Sequence, residues 1–282
     1  MHCTPSPGDG RETSHIPSGF PIKLFMEGAS SRFCGKRVRN MMVETAKMEA
    51  AMDKGILYGV SVGPGDPELL TLKAVRVIRE AEVIAVPNIG HGRQTALSIA
   101  EEYIQCKPQI ECSTPMTRDA SVRQAAYAEN ARLICEYLAA GRSVAYLCLG
   151  DIGVYASFAP VVEHVRAAGF EVHIIPGITS FSASAARLGI VLCEGPERLL
   201  ISPVMSGDVD EILDVPANKV FMKSGREVIA LRDKLAERGE LEGASMVANC
   251  GLPDEKVFTH LADVTEEDAD YFSVVIVKGV SA

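Results

Sequence analysis

Three short glycine-bearing stretches hold the residues of this chain best suited to cradle a ligand. The first is Gly63-Pro64-Gly65-Asp66-Pro67-Glu68, closing an apolar run that includes Ile56, Leu57, Val60 and Val62. The second, Gly150-Asp151-Ile152-Gly153-Val154-Tyr155, follows Val144 to Leu149, and the third, Gly177-Ile178-Thr179-Ser180, follows Glu171 to Ile175. Glycine admits positive φ and lets a ligand approach the backbone closely. Asp151 can accept from an ammonium or hydroxyl group, and Thr179 can donate. None of the three stretches is G-x-G-x-x-G, and no Walker lysine follows. The sequence also offers no Ser/His/Asp set, no metal-ligand cluster and no convincing acid/base pair.

The elements around these stretches read as strand, loop, helix, the arrangement by which α/β proteins build sites at the carboxyl ends of strands. In the first stretch Asp66 suits an N-cap, Pro67 a first helical position and Glu68 the positive helix end. The spacing predicts a helix continuing from there through Leu69, Leu70, Ala74, Val77 and Ile78. Further strands are expected at Glu82–Pro87, Ile110–Pro115, Val144–Leu149 and Glu171–Ile175, with helices at Thr95–Gln105, up to Ala140, and at Ser157–Ala168. After Gly177 helices become fewer. Strands are expected at Arg198–Ser202, Lys219–Met222, Ala244–Ala248, Lys256–His260 and Tyr271–Lys278, and helices at Ser206–Leu213 and Arg226–Arg238. The lack of a helix between Val257 and Tyr271–Lys278 suggests that these two strands pair antiparallel, which predicts a mixed second sheet.

Together the three loops resemble the tetrapyrrole methylase family, enzymes that use S-adenosyl-L-methionine to methylate corrin and sirohaem precursors. The resemblance runs from Gly55 to about Lys278. The first loop matches the family's G-x-G-P-G-D-P-x-x-x-T signature, and the second its G-D-P-x-x-Y loop, with Ile152 where proline is usual. Asn249-Cys250-Gly251-Leu252-Pro253-Asp254-Glu255-Lys256-Val257 and Tyr271-to-Lys278 look most like the precorrin-2 C20-methyltransferases, with or without cobalt in the substrate. The resemblance implies a two-domain α/β tetrapyrrole methylase fold, with a mostly parallel N-terminal sheet, a mixed C-terminal sheet and the donor site in the interdomain cleft. Residues 53–177 would form the first domain and 178–282 the second. Residues 1–52, rich in Pro, Ser and Gly, are expected to be a disordered extension or a miscalled start, with Met52 the best placed alternative.

The resemblance places the donor against Pro64, Gly150, Asp151, Val154, Thr179, Ser180, Met222 and Gly251. Met222 suits a strand-end core position equally, and Thr179 with Ser180 also reads as an N-cap pair. Asp66 and Tyr155 are candidates for shaping the transfer centre. A polycarboxylate acceptor calls for cations, and His91, Arg93, Lys223 and Arg226, with Arg118 and Arg123 besides, are the candidates. No resident metal is expected. Methyl transfer from a sulfonium needs little beyond in-line positioning, which suits a sequence without an evident catalytic set.

The bulk properties fit this reading. Of 282 residues, 47% are hydrophobic and 23% charged, enough for a large core. No apolar run reaches the ~18–20 residues of a membrane span. The net charge of −9 argues against a phosphate-backbone partner, so no nucleic acid is expected. Eight scattered cysteines read as reduced thiols of a cytoplasmic protein. Family resemblance implies a homodimer. The alternatives are an enzyme of the same fold acting at another corrin carbon, on RNA or on diphthamide, a dinucleotide-dependent oxidoreductase, or a binding protein without activity.

Overall fold

The computed structural model describes residues 54–88, 94–117, 119–204 and 209–279. Residues 53–282 form one compact unit with two sheets. The first sheet holds β1 (Leu57–Ser61), β2 (Val83–Asn88), β3 (Gln109–Ser113), β4 (Val144–Cys148) and β5 (Val172–Ile175). Its order is β3-β2-β4-β1-β5, and every pairing is parallel, with Leu57 opposite Val144 and Val60 opposite Leu147. The strands lie where the apolar runs predict them. Their near-continuous hydrophobicity follows from burial on both faces, which parallel sheets require.

Helices α1 (Leu72–Glu80) and α2 (Thr95–Ile104) cover one face, burying Val77, Ile78, Ile99 and Ile104 against Val60, Ile84 and Leu147. Helices α3 (Ala120–Ala139) and α4 (Phe158–Ala167) cover the other, with Ile134, Leu138, Phe158 and Val161 around Val144 and Tyr146. Asp119 starts α3 by accepting from the Ser121 and Val122 amides.

The predicted helix at Asp66 takes a different form. Asp66 caps only one turn of 3-10 helix, Pro67–Leu69, by accepting from the Glu68 amide. Leu70 and Thr71 then return to extended backbone, and Thr71 caps α1 through the Ala74 amide. The break lets two adjacent leucines serve different cores. Leu70 packs on the first sheet, and Leu69 packs with Ala183, Val247 and Cys250.

The second sheet holds β6 (Leu199–Pro203), β7 (Asn218–Met222), β8 (Ala244–Ala248), β9 (Lys256–Phe258) and β10 (Ser273–Val277), in the order β6-β7-β10-β8-β9. It is mixed, as expected: β6 and β7 are parallel, and the remaining pairs antiparallel. The pairing expected of Val257 with the last strand is not found. Strand β10, apolar from Val274 onward, lies between β7 and β8, buried at every position, and leaves β9 at the edge. Helix α5 (Ser180–Leu188) packs on one face through Ala185 against Val220, Val274 and Ile276. Helix α7 (Glu227–Glu237) packs on the other through Val228, Leu231 and Leu235, together with α6 (Val209–Leu213). The helix expected from Ser206 has its first three positions outside the described residues.

Candidate functional site: a cavity walled by loops of both sheets

The carboxyl ends of β1 and β4 are joined above the sheet. Gly63 and Gly150 exchange backbone hydrogen bonds, Gly150 N to Gly63 O at 2.7 Å and Gly63 N to Gly150 O at 3.2 Å. Gly150 does this at φ +72°, a conformation that costs a residue bearing Cβ. Beneath the bridge the buried Ser61 hydroxyl accepts from the Ile152 amide at 2.9 Å, which fixes the start of the second loop.

Asp151 ties the second loop to the third. Its Oδ1 accepts from the Gly153 amide at 2.9 Å and its Oδ2 from the Gly177 amide at 2.8 Å. The sequence offers this carboxylate as a ligand acceptor; in the fold each oxygen already receives a backbone N–H, so Asp151 shapes the wall of the cavity it lines. Thr179 caps α5 by accepting from the Ser182 amide, and its own hydroxyl donates to the Ser182 oxygen at 2.8 Å.

The first loop meets the second sheet without a gap. A Cβ on Gly65 would lie 2.4 Å from the Cys250 carbonyl oxygen, and one on Gly251 would lie 2.6 Å from the Asp66 amide nitrogen. The two glycine segments therefore stack backbone on backbone. The partner segment is braced by Glu255, whose carboxylate accepts from the Gly251 amide at 2.8 Å and pairs with Arg187. Burial works to raise the Glu255 carboxyl, but the Gly251 amide and Arg187 outweigh it and hold it below the usual carboxylate range.

These loops enclose a cavity of about 860 Å³. Pro64, Gly150, Asp151, Val154, Thr179, Ser180 and Met222 all line it, as do Tyr155 and Lys223. Gly251 and Asp66 stand behind the wall, where they pack on each other. Arg226 sits at the N-cap of α7, outside the lining, whereas Arg123 is part of it. His91, Arg93 and Arg118 lie outside the described residues. Residues not singled out in the sequence also contribute, above all Met116, Tyr127, Tyr271 and Phe272. The sequence signal for the last pair is an aromatic dipeptide opening the apolar run Tyr271–Lys278; in the fold it forms a turn ahead of the closing strand.

Strain gathers here. Gln105, Tyr155, Lys223 and Asn249 are the described non-glycine residues at positive φ, and the last three line the cavity at +50°, +54° and +54°. Each is held by hydrogen bonds that define its pose. The Tyr155 hydroxyl donates to the Ile201 carbonyl at 3.1 Å, and the Lys223 ammonium donates to the Tyr155 carbonyl at 2.7 Å. The Asn249 amide donates to Asp254 and Asp270, both at 3.2 Å.

Cys148 lines the cavity as a buried thiol. Burial pushes its thiol up to about 12, the nearby Asp151 charge adds to the effect, and Lys223 opposes it. At pH 8 iodoacetamide is expected to label the exposed Cys106 and to leave Cys148 and the buried Cys112 unmodified by peptide mass spectrometry. Labelling of Cys148 as fast as Cys106 would contradict this. Among the described residues no group of three or more His, Cys, Asp or Glu is placed to hold a metal ion, and no helix is long and apolar enough to cross a membrane.

Two glycine loops bridged above a parallel sheet thus face a mixed sheet across one cavity. Residues 56–265 match the family described as Tetrapyrrole (Corrin/Porphyrin) Methylases. The chain belongs to that family. It is 34% identical over 238 residues to the precorrin-2 C(20)-methyltransferase of a Sinorhizobium species, covering 80% of this chain and 96% of the relative. It is 35% identical over 239 residues to the cobalamin biosynthesis protein CobIJ of Mycobacterium tuberculosis, covering 80% of this chain; there it spans about half the relative's length, 46%. Among solved structures, the uroporphyrin-III C-methyltransferase of Thermus thermophilus, in complex with S-adenosylhomocysteine, superposes with a TM-score of 0.59 at 24% identity, covering 79% of this chain and 92% of that one. That likeness is one of fold.

Proposed function

We propose that this chain is an S-adenosyl-L-methionine-dependent C-methyltransferase that adds one methyl group at C20 of precorrin-2 or cobalt-precorrin-2 during corrin assembly. The observation that carries the proposal is the convergence of all three glycine loops on one cavity, in a chain that matches a C20-methyltransferase over nearly that relative's whole length. The residues present fit the donor. Gly150 leaves backbone open to it, the Asp151 carboxylate keeps free lone pairs beyond its two amide bonds, and Met222 offers a soft apolar wall.

When bound, the donor would supply an activated methyl group and leave as a neutral thioether, the methylated carbon giving up a proton in exchange. The protein's part is to hold the two reactants. The Gly63–Gly150 bridge and the Asp151 clamp fix the donor's wall before it binds, so little ordering remains to be done on binding. Lys223 and Arg123 place positive charge where an acceptor's carboxylates can meet it. Alignment of donor and acceptor at near-attack distance is itself worth several kcal/mol, about 7–11 in favourable cases.

The chain's charge of −9 and the enclosed cavity support a small acceptor over RNA. The scattered thiols support a cytoplasmic location. A homodimer, implied by the family, is supported by the apolar groove between α5 and the start of edge strand β6, where Val191 and Leu199 stay exposed. The test supplies the protein with labelled donor and, in separate reactions, precorrin-2, cobalt-precorrin-2 and ribosomal RNA. One methyl at C20, located by mass spectrometry and carbon NMR, is the expected result. Label in RNA or at another ring carbon would overturn the assignment.

A further inference from the structure

The cavity exposes more hydrophobic surface than the glycine loops account for. Met116, 62% exposed, projects from the segment between β3 and α3, and Tyr271 and Phe272, 38% and 40% exposed, precede β10. All three line the same cavity, reaching it from loops of different sheets. The aromatic pair is turned out by design of the local chain. The Asp270 carboxylate accepts from the Phe272 amide at 2.9 Å with one oxygen and from the Asn249 side chain at 3.2 Å with the other. This turn keeps both rings off the sheet's core, where burial would otherwise favour them. The rings meet edge to face, with centroids 5.4 Å apart at 77°, and the Lys223 ammonium lies 5.8 Å from the Tyr271 centroid.

Aromatic and thioether surface held open beside cations suits a ligand with broad apolar faces and an anionic edge. The donor's ammonium, carboxylate and ribose hydroxyls call for the polar glycine loops, and its adenine is the one flat part that competes for this surface.

We propose that Met116, Tyr271 and Phe272 form the apolar clamp for the faces of the acceptor's tetrapyrrole ring, with Lys223 and Arg123 beside it for the ring's carboxylates. The clamp rests on the tetrapyrrole reading given above. It sets acceptor affinity and leaves donor affinity alone.

The test compares the full chain with Met116→Ala, Phe272→Ala and Phe272→Leu, the last keeping apolar volume without a flat face. Met116→Ala and Phe272→Ala are each expected to raise KM for the precorrin-2 form that the wild type accepts by roughly tenfold or more, with Phe272→Leu between. The Kd for S-adenosylhomocysteine is expected to stay within about twofold in all three. Val215→Ala, an exposed apolar site away from the cavity, should change neither. Unchanged KM in Met116→Ala and Phe272→Leu, in an active protein, would overturn the clamp and leave the C20 reading standing. A loss that falls on S-adenosylhomocysteine instead would assign these side chains to the donor and also overturn it. A wild type that methylates neither precorrin form would remove the C20 reading, and the clamp with it.

Discussion

Asp151→Ala is expected to weaken S-adenosylhomocysteine binding by roughly ten- to a hundredfold, about 1.4–2.8 kcal/mol. The substitution removes the acceptor of two backbone N–H groups at once, Gly153 at 2.9 Å and Gly177 at 2.8 Å. The first bond shapes the loop after β4 and the second joins it to the loop after β5; the loop after β4 is in turn bridged to the first loop through Gly150. Losing the carboxylate therefore loosens the loops after β4 and β5, two segments of cavity wall, and the donor must order them on binding. Asp151→Asn retains an amide oxygen for one of the two N–H groups and should fall between wild type and alanine. Titration calorimetry measures the affinity, and thermal melting reports whether the unit as a whole is weakened. Donor affinity within about twofold of wild type in Asp151→Ala would show that the clamp does not shape the site.

What could be read in advance, and what could not, divides along the range of the interaction. The three glycine loops, the strands and most helices are written locally. Val144 to Leu149 is a continuous apolar run and becomes β4 at Val144–Cys148. The carboxylate of Asp151 was recognisable as part of the site, but its partner Gly177 lies 26 residues further on, so its clamping role was not visible. Leu69 and Leu70 carry the periodicity of a helix, and only the presence of a second core, supplied by Ala183, Val247 and Cys250, explains why the chain breaks between them. The insertion of β10 between β7 and β8 follows from its burial on both faces, whereas sequence proximity favoured β9 as its neighbour. Tyr271 and Phe272 alternate plausibly into the last strand. The hydrogen bond from the Phe272 amide to Asp270 ends the strand early and gives them to the cavity.

Gly65→Ala is expected to cause the largest single loss, because the obstacle is backbone on both sides. The new methyl would lie 2.4 Å from the Cys250 carbonyl oxygen, 2.6 Å from the Gly251 carbonyl carbon and 2.9 Å from the Leu252 amide nitrogen. None of these atoms can swing aside as a side-chain tip would. The Asn249–Leu252 turn is closed by the Leu252 amide on the Asn249 carbonyl at 2.9 Å, and Glu255 holds the Gly251 amide. Asn249 is itself fixed at φ +54° between Asp254 and Asp270. Relief must come from moving the first loop away from the second sheet, which opens the cavity wall at Pro64. Overpacking of this kind typically costs about 1–3 kcal/mol or more in stability, and the displaced wall should lower donor affinity by at least about a hundredfold. Gly195→Ala is the matched comparison: φ is +52° there but nothing lies within 4 Å of the added methyl. It should cost only the ~1–2 kcal/mol of left-handed backbone and leave donor affinity unchanged. Equal melting temperatures and equal S-adenosylhomocysteine affinities for the two variants would mean that the contact between Gly65 and Cys250–Leu252 does not hold the first loop in place.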